Sequence, residues 1–280
     1  MSRGEEGEAR RLVMVLAYEG TSYRGSQVQP GQPTIHGELA RALYQLTGEE
    51  PRLAFASRTD AGAHAEGQVA SALLSSRLSE GRLVAGLNYY LPESIAVQEA
   101  WWASSDFDVR RAPTRRRYRY IIVNTPQRSP LWWRRAYHVP EPLDAGLMDD
   151  ALQCQVGRRD VGPFVSASAT RGRSTLRTIY RAGAWREGEL VLVELEGDAF
   201  LAQQVRRTVG TLVQVGRGQM TVREFGSLCR GEGVGQAGPA APAYGLYLMQ
   251  VTYRLAPPSG CGSESGVQRE KLAVAAGVMQ

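Results

Sequence analysis

Apolar and polar positions alternate between two rhythms along the chain. Residues 11–17 form an apolar run suited to a central strand. Ile35, Leu39, Leu43 and Leu46 share one helical face, with Pro33 and Thr34 opening the helix and Thr34 as its N-cap. Residues 65–74 read as a strand, 79–88 as a helix with Leu83 and Leu87 inward and Asn88 capping or ending it, and 95–101 as a strand. The order strand, helix, strand, helix, strand predicts a sheet with helices on one face, an α+β layer. In the second half, Pro113 prevents one continuous strand, and 117–123 is extended. A turn at 126–130 precedes a second extended stretch at 132–139. Leu143, Leu147, Ala151 and Leu152 support a helix, and 157–174 reads as a loop around Phe164. Residues 175–185 and 190–195 form a hairpin turning at 186–189. The next helix covers 200–215, with Leu201, Val205, Val209 and Leu212 as its buried stripe, Arg206 beside it and Gly210 one turn on, permitting close backbone approach. Thr221 and Glu224 have capping-box spacing for a short helix ending near Cys229. Residues 231–243 are a small-residue loop, Gly245 and Leu246 lead into the last strand, and 256–280 is a Gly/Ser-rich flexible tail with room for a helical turn at 272–278.

Composition narrows the class. The 280 residues are 43% hydrophobic and 22% charged, which describes a folded chain of one large or two ordinary domains. No 18-residue apolar run predicts a membrane span, and the polar start Met1–Glu6 has no apolar signal segment, so the expected location is cytoplasmic. Cys154, Cys229 and Cys261 are isolated, and with only His36, His64 and His138 beside them no metal-ligand spacing emerges. Buried thiols are expected for Cys154 and Cys229 rather than a disulfide framework. The net charge is +5, carried almost wholly by arginine. Between Val109 and Ala136 lie nine arginines and no acid, a stripe that suits a phosphate backbone or a solvated basic face.

The candidate chemistry sits in Ser57-Arg58-Thr59-Asp60-Ala61-Gly62-Ala63-His64, a polar loop between apolar flanks. Gly62 allows a positive φ or a close ligand, and Asp60 falls in a loop on a sheet scaffold. Spacing alone also fits a turn-former that bonds its own backbone.

Six stretches, in order, resemble the tRNA pseudouridine synthases of the TruA family. The Asp60 loop resembles Gly-Arg-Thr-Asp-Ala-Gly-Val-His-Ala, with Ser57 and Ala63 as departures. Tyr18 to Gln29 resembles Tyr-Asp-Gly-Thr-x-Phe-x-Gly-Trp-Gln-x-Gln, with Glu19, Tyr23 and Ser26 departing; Ser26 stands where the pattern has Trp. His36 stands where Gln is frequent. Leu87 to Pro92 resembles Leu-Asn-x-x-Leu-Pro. Phe107 to Tyr120 is similar to Phe-x-Ala-Arg…Arg-x-Tyr-x-Tyr, matching Arg110, Arg116, Tyr118 and Tyr120. Gly197 to Arg206 resembles Gly-Asn-x-Phe-Leu-x-x-Met-Val-Arg, departing at Asp198 and Gln204, and Ala241 to Leu248 resembles Ala-Pro-x-x-Gly-Leu-x-Leu. Val161 departs from a His-Asp-Phe-x-x-Phe segment. The resemblance ends near Tyr253.

The resemblance implies an α+β pseudouridine synthase fold of two α/β domains, 1–106 and 107–255, whose antiparallel sheets join beneath a central catalytic cleft. It implies a homodimer that needs no cofactor and no metal and isomerises uridines at positions 38, 39 and 40 of the tRNA anticodon stem-loop. It assigns Asp60 as nucleophile, attacking C1′ or C6, with Arg206 and Tyr118 in the active site. Arg206 is the cation expected to keep the carboxylate ionised, and Tyr118 the ring expected to stack on an everted base. Arg58, Thr59, His64 and Leu246 complete the substrate contacts, Arg58 binding phosphate or holding the flipped-out state. Arg24, Arg110, Arg111, Arg115, Arg116, Arg171 and Arg173 are the expected RNA contacts. A synthase for another RNA or tRNA site, a non-catalytic tRNA-binding protein on this fold, and a carboxylate hydrolase such as a nucleosidase are the competing readings; the last wants a second acid, and none stands out.

Overall fold

A computed structural model describes residues 9–166, 174–231 and 237–253. Arg171, Arg173, Cys261 and the expected tail lie outside the described residues. Within them the chain is α+β, as its pattern predicts, and it clusters into two compact units. The first runs to Thr114 and takes back the chain from Gln250; the second comprises Arg115–Met249.

In the first unit, β1 (Arg10–Tyr18) is the centre, pairing antiparallel with β3 (His64–Leu74) on one side and β4 (Ile95–Ala103) on the other. Five consecutive residues of β1, Leu12 to Leu16, are buried, as a strand covered on both faces requires. The short β2 (Arg52–Phe55) pairs with the far end of β3. Helix α1 (Ile35–Thr47) starts where the sequence predicts: the Thr34 hydroxyl accepts from Gly37 N–H at 3.1 Å, and Ile35, Leu39 and Leu43 are buried. Helix α2 (Glu80–Tyr90) buries Leu83 and Leu87 and packs on β4. Asn88 does not cap it. The helix continues to Tyr90, and the Asn88 amide pairs with both backbone groups of Val97, at 2.9 and 2.7 Å.

The second unit is built on β5 (Pro113–Val123), β9 (Leu190–Gly197), β8 (Leu176–Glu187) and β7 (Gly157–Asp160), antiparallel neighbours in that order. Pro113 opens β5, where a missing N–H costs no ladder bond. The β8–β9 hairpin closes at Gly188, whose φ of 57° suits a tight turn. The extended stretch expected at 132–139 shrinks to the two-residue β6 (Tyr137–His138), parallel to β5. A 3-10 turn at Pro130–Trp132 and a φ of 55° at Arg134 interrupt it. Helix α3 (Ala145–Leu152) turns Met148 inward and leaves Leu147 largely exposed. It packs on β8 and on helices α4 (Gln204–Gly216) and α5 (Val222–Cys229). The capping box predicted for α5 forms between Thr221 and Glu224, and it holds the Glu224 carboxyl below its usual range. Cys154 and Cys229 form a disulfide, their Cα atoms 6.2 Å apart, where isolated thiols were expected. The partners are 75 residues apart, and it is the packing of α5 beside the end of α3 that unites them.

Candidate active site

In the first unit the Asp60 loop hangs between β2 and β3 and is held by a series of hydrogen bonds. Asp60 O accepts from Ala63 N–H at 3.1 Å, closing a β-turn with Gly62 at a φ of 81° in its third position. The loop's base is held from beneath by Gln68, a fully buried glutamine in β3. Its amide donates to Ser57 O at 2.9 Å and accepts from Ser57 N–H at 3.3 Å. Thr59 is held on three sides. Its N–H donates to Ser26 Oγ at 2.9 Å, its carbonyl accepts from Ser26 N–H at 3.2 Å, and its hydroxyl shares a 2.8 Å hydrogen bond with Tyr18. The register of β1 slips between Leu16 and Tyr18, and such an irregularity re-aims a side chain.

Two glycines let the 20–29 segment lie against the Asp60 loop. A Cβ on Gly20 would sit 1.8 Å from Ala63 O, and one on Gly25 2.6 Å from Thr59 O. Gly25 also holds a φ of 95°. His64 is buried, and its Nδ1 accepts from Gly20 N–H at 3.0 Å and lies 3.4 Å from a Glu19 carboxylate oxygen. Its recorded contacts tie the two loops. Asp60 is half-buried, Arg58 and Arg24 are exposed, and Arg110 and Arg111 follow Asp108, whose carboxylate accepts from both of their N–H groups. Those bonds hold the Asp108 carboxyl below its usual range.

In the second unit Tyr118 is a buried residue of β5, its ring edge-on to Phe200 with centroids 5.1 Å apart. Arg206 lies in the first turn of α4, and its Nε donates to Ala241 O at 2.7 Å. Its own carbonyl accepts from Ala241 N–H at 2.9 Å. The close approach expected at Gly210 is there: a Cβ would lie 2.0 Å from Pro239 O. Helix α4 begins at Gln204, later than expected, after Gln203 at a φ of 61°. Gln204, a departure from the family pattern, is buried and accepts from Leu201 N–H at 3.0 Å. Tyr120 donates to Pro242 O at 2.6 Å, and its burial pushes the phenol well above its usual range. A Cβ on Gly245 would meet the Tyr120 ring at 2.6 Å, and Leu246 follows as the first, buried residue of β10 (Leu246–Tyr253).

A model of the tRNA pseudouridine synthase family matches residues 151–254. A tRNA pseudouridine synthase A of Roseiflexus sp. strain RS-1 is 40% identical over 258 residues, 91% of this chain and 93% of that one. The chain belongs to the tRNA pseudouridine synthase A family. Relatives of the same name from Pelobacter propionicus and Myxococcus xanthus are 40% and 39% identical, over 87% and 89% of this chain and 100% and 94% of theirs. Set against the family pattern, the first unit gathers Arg58, Thr59, Asp60 and His64 in one braced loop, while Tyr118, Arg206 and Leu246 stand in the second unit. Sequence reasoning missed Gln68 and the bracing of Thr59 by Tyr18. A lone glutamine in the apolar run of β3 was the available signal for the first.

The arginine stripe reads differently in the fold. Strand β9 sets Glu194 and Glu196 opposite it: Arg115 pairs with Glu196 at 2.7 Å, and Arg119 with Glu194 at 3.0 Å. Arg116 donates to Asp198 O at 2.6 Å. Among the described residues no helix is long and apolar enough to cross a membrane, and no group of three His, Cys, Asp or Glu side chains could hold a metal ion.

Proposed function

We propose that this chain is a cytoplasmic tRNA pseudouridine synthase that isomerises uridine in the anticodon stem-loop, at positions 38, 39 and 40, with Asp60 as nucleophile. The observation that carries this is the Asp60 loop itself. A half-buried carboxylate stands in a tight turn whose neighbours Ser57, Thr59, Gly62 and Ala63 are fixed by hydrogen bonds. A nucleophile is aimed in this way when the residues around it are locked. The near-identical naming of relatives along almost the whole chain supports the same reading.

The reaction breaks N1–C1′ and forms C5–C1′. The proton leaving C5 and the proton gained at N1 balance, so no co-reactant is consumed. A carboxylate at C1′ or at C6 of the ring serves as the covalent handle in either route. Within this reading Arg206 keeps that carboxylate ionised, since a guanidinium stays charged and pairs with it bidentately. Tyr118 stacks on the everted uracil, where about 1–3 kcal/mol per base offsets part of the cost of eversion. The reading includes a homodimer, in which one subunit's arginines hold the tRNA body while Asp60 of the other works.

The test is pseudouridine mapping in tRNA treated with the native protein and with Asp60→Asn. Asparagine keeps the shape and removes the nucleophile, so product should fall to background while tRNA binding persists. Full activity in the variant would reject the assignment. Native mass spectrometry of the same samples should give twice the 30.6 kDa chain mass; a monomer that turns over normally would remove the dimer from the reading.

A further inference from the structure

Beside the Asp60 loop the first unit carries a cavity of about 430 Å³, with Arg58 of that loop in its wall. Its volume lies in the range of small-molecule sites, about 300–1,000 Å³. Ser26, Val28, His36, Phe55, Arg58 and Arg110 line it, together with two further uncharged residues, so the wall holds two guanidiniums and no carboxylate. Two of these positions, Ser26 and His36, are those at which the chain departs from the family pattern. Ser26 is fully buried and turns its hydroxyl to Thr59, leaving free the volume a larger side chain would take.

The wall combines aromatic rings with cationic side chains. The rings of His36 and Phe55, both in the wall, lie 5.8 Å apart and are tilted by 31° to one another. Burial holds the His36 imidazole below its usual pKa, opposed by a hydrogen bond to its own backbone and helped by the charge of Arg110. Its Nδ1 is buried and makes no well-formed hydrogen bond. His36 also lies in the first turn of α1, whose N-terminus favours negative charge. An aromatic face with guanidiniums at its edge is the arrangement that holds a single-stranded nucleotide, base on the ring and phosphate on the cations.

We infer that this cavity is a second nucleotide subsite, taking an unpaired RNA nucleotide that neighbours the reacting uridine, with its base on the His36–Phe55 face and its phosphate on Arg58 and Arg110. Arg58 stands two residues before Asp60, which ties the cavity to the loop of the proposed nucleophile. The inference rests on the synthase reading, and its test separates the two.

Two full-length variants address the cavity without touching the hydrogen bonds of the Asp60 loop. Val28→Trp fills the mouth from a largely exposed position, and His36→Ala removes half of the aromatic face. Each should raise KM for unmodified tRNA about ten-fold with kcat within about two-fold, a stacking-sized loss. His36→Phe, which keeps a ring, should return KM to within about three-fold of the native value. Filter binding of tRNA to the same variants in an Asp60→Asn background should show the same ten-fold weakening, which tests the cavity even if the native protein makes no pseudouridine. Free uridine or adenosine monophosphate should fail to displace tRNA at micromolar concentration. Unchanged KM and Kd in both variants would overturn the inference. So would a loss confined to kcat, which marks a loop-positioning role, absence of tRNA binding altogether, or displacement by free mononucleotide, which marks a site for a soluble ligand.

Discussion

Among single residues, the arrangement that matters is a carboxylate in a loop braced from beneath by a buried amide. Asp60 was legible because its loop is written in one contiguous stretch. The group beneath it was not, because Gln68 serves the loop from across the sheet, and a single polar residue in a strand announces no partner. Its burial with hydrogen bonds to both backbone groups of Ser57 makes it the loop's anchor. Gln68→Leu keeps the volume and removes the bonds to both backbone groups of Ser57, where a buried group left without a partner costs about 1–3 kcal/mol. The expected outcome is a loss of about 2 kcal/mol in urea denaturation, with a fall in kcat and little change in KM. A variant that loses stability but turns over at the native rate would show that the loop needs no such support.

At the scale of the element, local signals were read well and cross-strand ones were not. The Thr34 cap and the Thr221–Glu224 box formed as expected because each is decided within four residues. Asn88 misled because its amide serves β4 rather than its own helix. Part of the arginine stripe has counter-charges that its own stretch does not show: they come from β9, 75 and more residues on. Arginines of one stripe therefore divide into two kinds. The Arg111 side chain is 91% exposed, with a loose 3.7 Å contact to Asp108, whereas Arg119 is one-third exposed and holds Glu194 through both Nε and Nη2. Arg111→Ala should weaken tRNA binding and reduce the slope of log K against log salt by about 1. Arg119→Ala should leave that slope unchanged and cost up to about 1 kcal/mol of stability. Equal salt slopes for the two variants would contradict this division.

At the scale of the whole molecule, chain order and unit membership part company. The resemblance and the apolar pattern both read forward along the chain, and neither carries a local sign that the last strand returns. Yet β10 begins in the second unit and ends in the first, the changeover falling between Met249 and Gln250. Its final residue works as a clasp for the first unit. The Tyr253 hydroxyl donates to Val109 O at 3.1 Å, its ring lies 5.3 Å from that of Phe107, and Thr252 O accepts from the Thr114 hydroxyl at 3.3 Å. Tyr253 is 8% exposed, so truncation empties a site whose walls come from segments far apart in sequence. Removing a buried aromatic costs about 3–5 kcal/mol, and here a hydrogen bond goes with it. Tyr253→Phe should lose about 1 kcal/mol and Tyr253→Ala at least about 3 kcal/mol, read by chemical denaturation. Because the contacts belong to the first unit, hydrogen exchange in Tyr253→Ala should rise in β1, β3 and β4 before it rises in β8 and β9. Exchange that rises first or equally in the β8–β9 hairpin would mean that the strand's return secures the other unit instead.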